Sequence, residues 1–242
     1  MTLTIDIGNT RRKWAIFDGA QMLNCGYWEA SDTLPWKDYK IDETIGCCVG
    51  EKESTQQILK NNKIDWLHSD SFDNLPIKIN YNSPKTLGVD RVAAACGAWK
   101  FSKGKGCVII DAGTCITIDY LDQNGAYQGG AILPGVHMQL KALHQETAKL
   151  PMITTDLKNI PSPCGKDTQQ SMLAGTQTAT SFAIAGFVKH YLELSPNAEI
   201  WVTGGNSTWV EMLLKDNANV HVEPNLVMIG MNEIAMNKKL KR

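Results

Sequence analysis

Two short stretches of this 242-residue chain place an acid where an apolar strand gives way to a turn. "TIDIGNTRRKWAIFD", residues 4–18, sets Asp6 ahead of Ile7-Gly8-Asn9-Thr10, and "IIDAGTCITIDYLD", residues 109–122, sets Asp111 ahead of Ala112-Gly113-Thr114. Glycine at Gly8 and Gly113 lets backbone amides come close to a phosphate. Thr10 and Thr114 add hydroxyl donors, and Asp6 and Asp111 carry the negative charge that a bound cation needs, directly or through water. The first turn continues as Arg11-Arg12-Lys13, charges that suit phosphates or, equally, solvent. Either turn alone is also what a plain β-hairpin would show. The pair is more telling, since two such turns can clamp one polyphosphate.

A third turn, "VTGGNS", ends a strand in Gly204-Gly205, where bare backbone suits a flat base and sugar. Asn206 or Ser207 can cap the helix that follows. "GVDRVAAACGAWKF", residues 88–101, reads as a helix with Asp90 and Arg91 in its first turn. An acid there suits the helix dipole without any catalytic role, and Tyr81 and Pro84 just upstream read equally as core and turn. The two commonest phosphate fingerprints, GxxxxGK[ST] and GxGxxG, do not occur.

The elements that must hold these residues alternate. Strands are expected in "TLTIDI", "KWAIFD", "QMLNCGYWEA", "ETIGCCVG" and "KIDWLHS", with a helix in "EKESTQQILKNN". After a loop at "SKGKG" the opening style returns: strand, Asp111, turn, strand, a turn at Gln123-Asn124-Gly125, strand. Helices are then expected over "VHMQLKALHQETAKL" and "DTQQSMLAGTQTATSFAIAGFVKHYLEL". The chain closes as strand "EIWVTGG", helix "STWVEMLLKD", strand "NVHVE" and helix "LVMIGMNEIAMNKK". This is an α/β class. The repeated strand–Asp–x–Gly–turn–strand unit implies a duplicated domain, two related halves, 1–103 and 104–242, with a cleft between them.

Composition narrows the partners. A formal net charge of -1 gives no support to broad nucleic-acid binding, and the basic "NKKLKR" at the end reads as a solvated tail. No apolar run is long enough to span a bilayer, and the start lacks a signal-peptide pattern. Seven cysteines, an odd number with Cys47 and Cys48 adjacent and no CxxC, fit reduced thiols in the cytoplasm. His137 and His144 lie seven apart, a spacing that usually means packing or surface rather than a metal site.

Three turns of this kind in a two-half α/β chain resemble the actin, heat-shock-70 and sugar-kinase superfamily, with ribonuclease H-like halves of mixed sheets flanked by helices. "YNSPKTLGVDR", residues 81–91, is similar to the YxxPxxLGxDR motif of type III pantothenate kinases. "DIGNT", "DAGTCITID", "GGAILPG", "AKLP", "GKDT" and "TGG" follow the same family in order.

The resemblance implies ATP-dependent phosphorylation of pantothenate, with Asp90 as general base. Tyr81, Gly88, Val89, Asp90, Arg91 and Thr168 would contact pantothenate. Asp6, Ile7, Gly8, Asn9, Thr10, Arg11, Arg12, Lys13, Thr114, Gly204 and Gly205 would contact ATP. Asp6 would serve magnesium, and Asp111 a monovalent cation, potassium or ammonium. The resemblance also implies a homodimer. Cys115 stands where the family usually has a smaller residue, and the chain is short for the family. Two other readings stay open at this point: a kinase of another small hydroxylated substrate, and a non-catalytic accessory factor for transcription.

Overall fold

The computed structural model describes residues 1–29, 34–49, 63–69, 72, 74–102 and 104–240. The expected helix over residues 51–62 lies outside them. The chain forms two compact units. Unit 1 comprises residues 1–104, 124–129 and 225–242; unit 2 comprises 105–123 and 130–224.

In unit 1, β1 (Thr2–Ile7), β2 (Arg12–Asp18), β3 (Gln21–Tyr27), β4 (Glu43–Cys48) and β5 (Asp65–Trp66) make a sheet of order β3-β2-β1-β4-β5. The first three strands are antiparallel neighbours joined by short turns, whereas β4 and β5 run parallel to β1. Alternation along β1 sends Leu3, Ile5 and Ile7 into a cluster with Trp14, Ile16, Trp28 and Trp36. Trp28 meets Trp36 edge-on at 5.4 Å between ring centres. Thr2, Thr4 and Asp6 therefore point to the opposite face.

A short strand, β6 (Lys78–Ile79), leads through a 3₁₀ turn at Pro84–Thr86 into α1 (Val89–Ser102). Three further helices follow in unit 2: α2 (Val136–Gln145), α3 (Thr168–Leu173) and α4 (Ala179–Leu194). They are followed there by α5 (Ser207–Leu213), and α6 (Leu226–Leu240) closes the chain in unit 1.

Inside unit 1, α1 and α6 pack with their backbones almost touching. A β-carbon on Gly230 would lie 1.7 Å from the Ala93 carbonyl oxygen, and one on Gly97 2.4 Å from that of Leu226. Lys100 pairs with Glu233 at 2.7 Å, and Asn232 Nδ2 donates to the Gly19 carbonyl at 2.9 Å. The last helix thus anchors both α1 and the β2–β3 turn.

Unit 2 repeats the plan. Its strands are β7 (Cys107–Ala112), β8 (Cys115–Leu121), β9 (Ala126–Pro134, whose first residues belong to unit 1), β10 (Glu199–Thr203) and β11 (Val220–Val222). Their order is β11-β10-β7-β8-β9, again with an antiparallel second strand and parallel fourth and fifth strands, and β6 adds a sixth strand parallel to the first residues of β9. Val108, Ile110 and Ala112 enter the unit 2 core with Ile184, Val202 and Trp209, so Asp111, like Asp6, points to the face away from that cluster. The same strand order in both sheets is the duplication expected from the sequence.

Two helices differ from expectation. α2 stops at Gln145 instead of continuing through residue 150. Thr147 Oγ1 donates back to the Leu143 carbonyl at 2.7 Å and accepts from the Leu150 N–H at 3.4 Å. The side chain thereby satisfies backbone groups that a continuing helix would have paired. The stretch from 168 to 194 is interrupted by a π-helical turn, Ala174–Thr178, between α3 and α4. None of the seven cysteines is in a disulfide. Among the described residues no helix is long and apolar enough to cross a membrane.

Candidate active site

Each unit assembles its own group of the expected residues. In unit 1, Asp6 is the penultimate residue of β1 and lies directly across from Lys13 on β2 and beside Cys47 on β4. Cys47 Sγ donates to Asp6 Oδ1 at 3.1 Å. Ile7 is buried, Gly8 half-buried, and Asn9, Thr10 and Arg11 are exposed at the turn, which Gly8 N–H closes onto the Arg11 carbonyl at 3.1 Å. The three basic residues rest on aromatic rings. Arg11 and Lys13 lie 5.3 and 5.8 Å from the Tyr27 ring centre, and Arg12 lies 5.6 Å from that of Trp28.

Asp90 stands in the first turn of α1, where an anion is favourable. Its Oδ1 accepts the Arg91 N–H at 2.9 Å. Gly88 leaves room for this arrangement, because a β-carbon there would lie 2.6 Å from that same oxygen. Val89 and Arg91 are buried. Tyr81 follows β6 by two residues and lies edge-on to Tyr127 at 6.2 Å. Between Tyr81 and Gly88, Ser83 and Thr86 tie the 3₁₀ turn through their hydroxyls at 2.8 Å. Asp6 and Asp90 are near enough to act on each other. Burial pushes the Asp6 carboxyl above its ordinary range, the Cys47 hydrogen bond and the Lys13 charge pull it back, and the charge of Asp90 adds to the rise.

In unit 2, Asp111 heads the β7–β8 turn, with Thr114 exposed at its tip. Gly204, at φ +90°, brings the end of β10 against it: a β-carbon there would lie 2.4 Å from Asp111 Oδ1 and 2.6 Å from the Ala112 carbonyl oxygen. Gly205 is exposed beside it. Asn206 occupies the N-cap position of α5, yet its side chain makes no capping bond; its backbone N–H instead donates to the Ala112 carbonyl at 2.9 Å. Ser207 is already inside the helix. The start of α2 closes the group, with Gly135 N–H donating to the Thr114 carbonyl at 3.0 Å.

Thr168 is the exposed first residue of α3, after Asp167, which caps that helix by accepting the Gln170 N–H at 2.8 Å. His137 and His144 belong to no metal-binding cluster among the described residues. They bond the Thr155 and Leu150 carbonyls at 2.9 and 2.8 Å.

A family model for type III pantothenate kinase matches residues 2–190. The chain belongs to the type III pantothenate kinase family. It is 32% identical to the type III pantothenate kinase of Flavobacterium psychrophilum, covering 99% of this chain and 100% of that protein. To the enzyme of Bacteroides fragilis it is 35% identical, covering 97% of each. Its fold is that of the sugar-kinase and actin-like group. A ROK family glucokinase from Streptomyces griseus, solved with glucose and AMPPNP, superposes with a TM-score of 0.52 at 11% identity over 97% of this chain and 98% of that one.

Within this pantothenate kinase, sequence reasoning overlooked Cys47. It read as one more apolar residue of a buried strand, and only the parallel register of β1 and β4 places its thiol on Asp6.

Proposed function

We propose that this chain transfers the γ-phosphoryl group of ATP to the primary hydroxyl of pantothenate, giving 4'-phosphopantothenate in the first step of coenzyme A biosynthesis. The observation that carries the reading is Asp90, held at the head of α1 with one oxygen fixed by the Arg91 N–H. Asp90 accepts the proton of the attacking hydroxyl. An ordinary carboxylate suffices, because phosphoryl transfer depends mainly on alignment and charge stabilisation and the proton can leave late. Arg91 suits the polar groups of an anionic substrate. Tyr81, Gly88, Val89 and Thr168 complete the pantothenate contacts.

Asp6 to Lys13 form the first phosphate turn, and Thr114, Gly204 and Gly205 take the rest of the nucleotide. Asp6, a carboxylate at the end of β1 beside the turn of Gly8 to Lys13, offers the hard oxygen donors that suit a divalent cation. Magnesium held there would supply positive charge to the phosphates. Asp111, an oxygen donor against the bare backbone of Gly204, suits a monovalent cation.

Ile132 and Phe182, exposed on unit 2 at 64% and 63%, suit burial in a homodimer. Light scattering of wild type and of Phe182→Glu tests that assignment: a monomeric wild type overturns it. The reaction itself is tested by incubating the protein with ATP, magnesium, potassium and pantothenate and detecting phosphopantothenate by mass spectrometry. Folded protein that makes none, with or without potassium, refutes the reading.

A further inference from the structure

Cys47 has no role in the reaction as described, and its place is nonetheless specific. β1 and β4 run parallel with Asp6 beside Cys47 in register, so both side chains leave the sheet on the same face. The thiol is fully buried, and its Sγ lies 3.1 Å from Asp6 Oδ1. On the other flank Lys13 stands opposite Asp6 across the β1–β2 pair. Asp6 thus has a neutral donor on one neighbouring strand and a charged residue on the other.

We propose that Cys47 is a positioning residue for Asp6. Its S–H engages Oδ1, fixes the rotation of the carboxylate and leaves Oδ2 as the oxygen presented to a divalent cation. The inference rests on the assignment of Asp6 to magnesium given above. A neutral thiol suits this role because it orients the carboxylate without cancelling the charge that attracts the ion, as a second ammonium group would. It is also compact enough for a strand position with no exposed surface. Partners that orient a metal-binding carboxylate typically change metal affinity by about 10–100-fold when removed. A thiol is a weak donor, which places Cys47 at the lower end of that range.

The test compares full-length wild type with Cys47→Ala, which deletes the donor, and Cys47→Ser, which keeps one. Cys47→Ala is expected to raise the magnesium concentration for half-maximal turnover about tenfold. It should weaken magnesium–ADP binding in calorimetry by a similar factor and leave the KM for pantothenate unchanged. Cys47→Ser is expected to recover most of the loss. Infrared absorption of the metal-free protein supplies a readout independent of turnover. The S–H band lost in Cys47→Ala should shift in Asp6→Asn, where the acceptor is weaker.

An S–H band that ignores Asp6→Asn overturns the proposal. So does an Ala variant with the wild-type magnesium requirement, or equal losses in the Ala and Ser variants, which would mark Cys47 as a space filler. If wild type forms no phosphopantothenate, the functional reading fails instead, and the infrared and magnesium–ADP measurements still decide the role of Cys47.

Discussion

Gly204 presses its α-carbon against the carboxylate of Asp111, turning at φ +90° where a β-carbon would lie 2.4 Å from Oδ1. The end of β10 and the β7–β8 turn of unit 2 can meet only because residue 204 has no side chain. Gly204→Ala therefore combines a strained backbone with an overlap, and is expected to cost about 1–3 kcal/mol of stability. It should raise the KM for ATP more than that for pantothenate. Denaturant unfolding and steady-state kinetics check both. A variant as stable as wild type with unchanged ATP kinetics would show that the contact is dispensable.

Asp90→Asn keeps the shape of the residue and its acceptor oxygen for the Arg91 N–H, and removes the proton acceptor. kcat is expected to fall about 100-fold or more, within the usual range for a positioned base. The melting temperature and the KM for pantothenate should change little. Near-normal turnover would take Asp90 out of the role of base.

The proposed assignment of Asp111 to a monovalent cation is tested by potassium omission and by Asp111→Asn. Each is expected to lower turnover by about tenfold or more, because charges aimed at the transferring phosphoryl group are commonly worth that much. The Asn variant should also lose most of its response to added potassium. A full potassium response in the variant would locate the cation elsewhere.

The raised pKa of Asp6 has a sign that metal-free unfolding can test. The folded protein holds this proton to a higher pH than the unfolded chain, whose value is the ordinary 3.8. Stability contributed by the group is therefore present at low pH and lost as pH rises through the folded pKa. Asp6→Asn has no such loss. In chelator, the variant should gain on wild type as pH climbs from about 4 through the Asp6 titration, measured by urea midpoints. A difference that is flat, or that grows on acidification, contradicts the burial argument.

Gly230→Ala places a methyl group 1.7 Å from the Ala93 carbonyl oxygen, so α1 and α6 must separate. A loss of about 3 kcal/mol is expected, at the upper end for overpacking because the obstacle is backbone. A drop in melting temperature larger than that of an exposed control such as Gly186→Ala confirms it.

Much of this was legible in the chain itself. Alternating strands, the two Asp-x-Gly turns and the Ala-rich helix behind Asp90 are local patterns, and they led to the duplicated α/β plan now seen in two sheets of the same order. "YNSPKTLGVDR" carried the family because its residues are contiguous. What was missed depends on partners far apart in sequence. Cys47 meets Asp6 only through parallel pairing across 41 residues. Thr147 ends α2 with a side chain that composition reads as ordinary helix surface. The helix cap expected from Asn206 or Ser207 is not made: Asn206 stands at the N-cap without a side-chain bond, and Ser207 lies inside the helix.

The last helix bears on the order in which the molecule is made. Unit 1 contains the first strands of the chain and also α6, which packs on α1 through Gly97 and Gly230 and holds the β2–β3 turn through Asn232. On a translating ribosome the N-terminal portion emerges first, but its packing partner α6 is made only after unit 2. The N-terminal sheet and α1 must therefore wait, with one apolar face uncovered, until all of unit 2 has been synthesised. Unit 2, between them in the sequence, is free to mature first, which reverses the usual N-to-C order of folding.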